Sequence, residues 1–405
     1  MLSPLLALLL LSQTPPPVEP PQFEQLMQRV DVAVREHRNP DAIGMLDKAL
    51  KSSPQWRRGW WLLGSLLYDS DNYAAARSAL ERLIQMDPKS GAGWAVLGLC
   101  EFEMRDYGLA LQHLQRGDAF GLPPELDLLD VVRYHEVLLL MLAERFDPAQ
   151  VLLDQLTQKG LDTEEIMLTQ GMVALRIPAL PISLSRTSGE DRVEIIRRVG
   201  HAQHLISQQK PREAAAIYRE ILKDDPKIAN LHLSFSLVLL HIREREAAEA
   251  EMRTELRLNP QSVETRLQLC GLLEDDSPRD ALGFAEQAVS LDPKSFKAHF
   301  VLGKLLFKTE RLAESAKELE TSRDLDPTSS AVRFALVRTY KSLGKEADAA
   351  REAAIFRRLR TAEDQFRTTG RVSPSYFEFD PAVEKPASKS PSESGPKGRK
   401  ASAAQ

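Results

Sequence analysis

The chain has 405 residues, 43% of them hydrophobic and 6% aromatic, with a formal charge of −5. That length suits two or more ordinary domains or one extended repeat body, and a mildly acidic balance offers nucleic acid no electrostatic footprint. Two cysteines, Cys100 and Cys270, lie in separate helical apolar patterns and read as buried thiols, not as a disulfide or a metal pair.

Residues 1–21 combine an apolar stretch, Leu5–Leu11, with a proline-rich spacer, Gln13–Pro21. The apolar stretch is far shorter than the roughly 20 residues that span a bilayer, so no stable membrane span is expected. It has the character of a secretory signal, and the chain is expected to be exported to the periplasm or cell envelope. If the segment is not a signal, the chain is cytoplasmic.

Residues 22–176 read as a first helical array. Phe23–Pro54 has Leu26, Val30 and Ala33 on one helical face and Ala42, Leu46 and Ala49 on the next, with Gln25, Gln28 and Arg29 left for solvent as in an end-cap. Arg57–Pro88 holds two helices separated by the polar break Asp69-Ser70-Asp71-Asn72; Trp60, Leu63, Gly64 and Leu67 stripe the first, Ala76, Leu80, Leu83 and Ile84 the second, and Pro88 stops it. Gly91–Leu122 repeats this order. Leu126–Arg145 and a helix opened by Asp147-Pro148 follow, then Thr163–Arg176, whose partner helix is missing.

Residues 177–189 carry Pro178, Pro181, four hydroxyl residues and Gly189, so a stable helix is not expected there. This segment is read as a loop packed across the stack or a hinge between arrays. Residues 190–369 form a second array whose last helix is long and polar-backed, as a solenoid end requires. Residues 370–405 are rich in Pro, Ser and Lys and are expected to be a disordered tail.

One period runs through both arrays. Pro54 and Pro88 are 34 residues apart; Pro226, Pro260, Pro293 and Pro327 follow at 34, 33 and 34. A small residue precedes each proline (Ala42, Ala76, Ala214, Ala248, Ala281, Ser315), and four residues after it stands Leu46, Leu80, Tyr218, Met252, Ala285 or Leu319. Small residues allow close helix crossing and larger ones fill the space between. A fixed period of this length means stacked helix pairs, none able to bury its apolar face alone.

The motifs Trp60-x2-Leu63-Gly64-x2-Leu67 with Ala76-x3-Leu80 and Pro88, Trp94-x2-Leu97-Gly98 with Ala110-x3-Leu114, and His299-x2-Leu302-Gly303-x2-Leu306 with Pro327 resemble the tetratricopeptide repeat. The resemblance covers about two thirds of the chain and implies an all-α solenoid, a right-handed superhelix of about nine pairs interrupted mid-chain. It also implies a non-catalytic scaffold or adaptor for protein or peptide partners. His232 and His299 take the slot of Trp60 and Trp94, where packing is the simpler account.

No phosphate loop, zincin, nucleophile-elbow or C-x-x-C motif is present, and His201 and His204 lack further ligands nearby, so no enzyme activity, cofactor or metal is expected. By the resemblance, contact positions on the first helix of each pair fall on Lys297, Phe300, Lys304, Phe307 and Lys308, then on Phe334, Arg338 and Lys341. Spacings of 3 and 4 put them on one helical face. Cations alternating with aromatics suit an acidic segment or a terminal carboxylate. The first array offers Arg58, Trp61, Tyr68 and Phe102, a more aromatic and less charged set. Rival readings are an accessory subunit of an enzyme or of a secretion or envelope assembly, and a self-associating structural solenoid.

Overall fold

A computed structural model describes residues 21–126, 128–187 and 189–369. The leader-like segment through Pro20 and the tail from Gly370 lie outside the described residues. Among those described there are twenty α-helices, one 3-10 turn (Pro124–Leu126) and no strand.

The helices form ten consecutive pairs. In chain order these are α1 (Pro21–Arg35) with α2 (Asn39–Ser52), α3 (Arg57–Asp69) with α4 (Tyr73–Met86), α5 (Gly91–Glu103) with α6 (Tyr107–Phe120), and α7 (Leu128–Leu142) with α8 (Phe146–Gln158). Then come α9 (Glu164–Ala174) with α10 (Pro181–Thr187), α11 (Glu190–Ser207) with α12 (Pro211–Asp224), and α13 (Leu231–His241) with α14 (Arg245–Leu258). The last are α15 (Val263–Leu273) with α16 (Pro278–Leu291), α17 (Phe296–Lys308) with α18 (Leu312–Leu325), and α19 (Ser330–Ser342) with α20 (Glu346–Thr369). Most helices pack on their own partner and on the next pair, which makes the molecule an all-α solenoid.

The periodic residues do what their sizes suggest. Ala42, Ala76, Ala110, Ala149, Ala214, Ala248, Ala281 and Ser315 are fully buried, and so are Leu46, Leu80, Leu114, Leu153, Tyr218, Met252, Ala285 and Leu319. The pair α7–α8 therefore keeps the repeat slots through Ala149 and Leu153. At the start, Gln25, Gln28 and Arg29 are exposed, and Phe23 stacks on Trp56 with ring centroids 4.2 Å apart.

Turns between paired helices are built alike. In every pair but α15–α16 one turn residue adopts the left-handed conformation: His37, Asp71, Arg105, Glu144, Arg176, Gln209, Arg243, Glu310 and Gly344. Several first helices start on a side-chain cap, as where Ser295 Oγ accepts the Ala298 N–H at 3.2 Å.

A second tie recurs at the tryptophan slot. Trp60 and Trp94 donate their indole N–H to the carbonyls of Pro54 and Pro88, each at 2.8 Å. His232 donates through Nε2 to Pro226 at 2.8 Å, His299 to Pro293 at 3.0 Å, and Arg333 to Pro327 at 2.9 Å. The last three also meet a carboxylate on the following helix: Glu251 at 2.5 Å, Glu318 at 2.6 Å and Glu352 at 2.8 Å. What Trp, His and Arg share in these five repeats is an N–H donor, so packing alone does not account for the slot.

The middle of the chain departs from expectation. Pro181–Thr187 forms the short helix α10, with proline at the first helical position, where its missing N–H costs nothing. Being so short, α10 cannot fill the place of a full second helix. α9 instead packs directly on α11. The crossing is made by Gly171 and Gly200: a Cβ on Gly171 would strike the Ile196 carbonyl, and one on Gly200 the Met167 carbonyl. The resulting contact is backbone on backbone.

Candidate partner-binding surface

The contact positions on α17 and α19 form a strip. Lys304 lies over the Phe300 ring at 5.8 Å, and Arg338 of α19 lies over Phe307 of α17 at 4.7 Å. Each lysine of α17 is already met by an acid. Lys304 pairs with Glu274 at 3.6 Å, and Lys308 with Asp275, both acids at the end of α15. Lys297 reaches Asp147 on α8. Phe334 is turned aside to Phe356 of α20, with centroids 5.3 Å apart, and Lys341 is exposed.

In the first array Tyr68 packs edge-on against Tyr73 at 5.6 Å, and Phe102 meets Tyr107 at 5.6 Å and the edge of His135 at 4.7 Å. Trp61 and Arg58 are half-buried on α3, Trp61 against the first core cluster. Burial pushes the Tyr68 hydroxyl's pKa up and pulls that of His135 down. The sequence reading missed Tyr73, Tyr107 and His135. A signal was available for the first two: they stand 34 residues apart, each as the first residue of a second helix.

A third feature lies between these sets, in the interrupted region. A cleft of about 200 Å³ opens between α8, α9, α11 and α13. Its apolar wall includes Phe146, Ile206, Leu237 and Val238, and its polar wall Asp147, Asp154, Arg176 and His241. Arg176, at the end of α9, sits over the Phe146 ring at 5.5 Å, bonds Asp147 at 3.1 Å and reaches Glu264 of α15 at 3.3 Å. With Lys297 on Asp147, side chains from the second array thus meet the central pairs directly, bypassing the helices between them in sequence.

Asp154 stands apart from that network. Its carboxylate accepts one bond, from Gln150 Nε2 on its own helix at 2.8 Å, and burial raises its pKa above the usual carboxylate range. Neither this cleft nor Asp154 is legible in sequence, because the four helices meet only through the unusual α9–α11 packing.

Among the described residues no three His, Cys, Asp or Glu side chains converge as a metal site, and no helix is long and apolar enough to cross a membrane. Cys100 and Cys270 are buried free thiols, and burial pushes both up to about 12.

A model of the tetratricopeptide repeat matches residues 27–76, 62–121, 199–263 and 268–330, together more than half of the chain. No curated protein sequence matches it. Solved structures similar to it include MamA from Desulfovibrio magneticus RS-1, from its residue 41 to the end. That chain is 18% identical, and the match covers 44% of this chain and 98% of that one with a TM-score of 0.39. YrrB, described as a tetratricopeptide repeat protein with an unusual peptide-binding site, is 18% identical over 44% of this chain and 91% of its own, with a TM-score of 0.36. PilF of Pseudomonas aeruginosa is 18% identical over 42% and 78%, with a TM-score of 0.39.

Proposed function

Because the chain belongs to the tetratricopeptide repeat family, we propose that this protein-interaction scaffold is non-catalytic and holds an extended partner segment along the first helices of its pairs. The observation that carries the reading is the strip Phe300, Lys304, Phe307 and Arg338, in which one cation of α17 and one of α19 lie over two rings of α17. A rigid stack holds such a surface ready, which lowers the ordering cost of binding. The partner segment is acidic: its carboxylates replace Glu274 and Asp275 as counter-ions to Lys304 and Lys308, and Arg338 offers a forked donor beside them. The chain is exported and serves in the cell envelope, a reading that rests on the apolar Leu5–Leu11 stretch.

Affinity capture from the native host with chemical crosslinking tests the scaffold. The double variant Lys304→Glu/Arg338→Glu is expected to lose partner capture at low salt, and unchanged capture defeats the assignment of the strip. N-terminal sequencing of the mature chain tests export: a start beyond Leu11 supports it, and a retained Met1 refutes it.

A further inference from the structure

We propose that the central cleft seats a lysine or arginine side chain of a partner protein, with Asp154 as its counter-ion. The site rests on the scaffold reading but not on the α17–α19 strip, and its chemistry is opposite.

The argument is an inventory of donors and acceptors around the cleft. Asp154 can accept about four hydrogen bonds and receives one, from Gln150. Across the cleft, His241 Nδ1 lies 2.8 Å from the Leu237 carbonyl. A carbonyl only accepts, so Nδ1 carries a proton and is spent on the backbone of its own helix. Gln203 spends its amide donors on the Tyr218 hydroxyl at 2.7 Å and Ser234 at 3.4 Å, away from Asp154. Arg176 of the same wall is committed to Asp147 and Glu264, and Lys297, outside the cleft, to Asp147.

What remains is a half-buried carboxylate with one bonded donor; burial pushes its pKa up and outweighs the lowering by Gln150 and by the attraction of His241. Burial makes an unneutralised carboxylate costly, and an incoming cation offsets that cost. A neutral guest would supply donors but leave the charge in place; an acidic guest would add to it. Ile206, Leu237 and Val238 provide an apolar bed on which the methylenes of a lysine or arginine can lie while the head reaches Asp154.

The test uses the full-length protein, immobilised, with four degenerate nonapeptide libraries as probes, their central residue fixed as Lys, Arg, norleucine or Glu. The wild type is expected to retain the Lys and Arg libraries about tenfold better than the norleucine library. That preference should vanish in Asp154→Asn, a near-isosteric change, and persist in Lys304→Glu/Arg338→Glu. Equal retention of the Lys and norleucine libraries overturns the proposal, as does a preference for Lys that survives Asp154→Asn with unchanged melting. If the Glu library alone is retained, and is lost from the strip variant, the cleft proposal fails while the strip stands. Retention of no library removes both.

Discussion

His232 shows how one side chain can carry a repeat rule and depart from it. It occupies the slot of Trp60 and Trp94 and keeps their bond to a proline carbonyl, but adds an ion pair with Glu251. That bond raises the imidazole pKa above its ordinary value, with burial opposing it. A raised folded-state value means stability that is fully present below about pH 6.5 and is lost as pH rises through the folded value. The wild type should therefore be less stable, and melt at lower temperature, at pH 8 than at pH 6, this pair contributing at most about 1 kcal/mol once solvent screening is counted. In Glu251→Gln that dependence should flatten, and parallel melting profiles for the two proteins would refute the assignment. The slot itself is visible in sequence as a recurring Trp or His six residues after a proline. Its chemistry is not, because the acceptor is a loop carbonyl whose direction is set only once two neighbouring pairs have stacked. Arg333, in the same slot, bonds Pro327 and Glu352 in the same way with no resemblance to tryptophan in shape.

At the scale of the helices, the period of 34 predicts where pairs begin and end, because apolar spacing and proline stops are local signals. It does not predict α10. Pro178 and Pro181 argue against a helix when counted as breakers, yet Pro181 stands at the first position, the one place where proline fits. Nor does it predict that α9 takes α11 as its neighbour. Gly171 and Gly200 are unremarkable in sequence, since glycine also occurs at positions such as Gly44 and Gly271, where an added Cβ would meet nothing. At Gly200 the obstacle is a backbone carbonyl, which cannot rotate away as a side-chain tip can. Gly200→Ala is expected to cost about 3 kcal/mol, the upper range for overpacking. Gly271→Ala, also helical, should be neutral or slightly stabilising. Urea unfolding of the two variants checks this, and equal midpoints would show that the α9–α11 crossing is not tight.

Across the whole molecule, the candidate surface was partly legible. The positions on α17 and α19 are brought into one strip through Phe300, Lys304, Phe307 and Arg338, while Phe334 leaves it for Phe356. The cleft was invisible because its walls come from residues as distant in sequence as Asp154 and His241, brought together by the α9–α11 packing. In an ideal solenoid each pair touches only its neighbours. Here Asp147–Lys297 and Arg176–Glu264 tie the second array back to the centre. Asp147 and Lys297 are both part-exposed, so their pair should contribute only about 0–1 kcal/mol to stability. Its effect should be on shape. Lys297→Glu is expected to increase the radius of gyration in X-ray scattering, and Lys297→Arg, which keeps the charge beside Asp147, to leave it unchanged. An unchanged radius in Lys297→Glu would show that the tie does not hold the arrays together.

The backbone crossing of α9 and α11 also bears on how such a chain can lengthen or shorten over generations. Elsewhere among the described residues no glycine meets the backbone of another pair, so a whole unit can be duplicated or deleted against side chains that repack. At Gly171 and Gly200 the two faces fit only each other, so a copied unit placed there would find no matching surface. Growth and loss should therefore be confined to either side of this joint, which remains the fixed point from which both arms are counted.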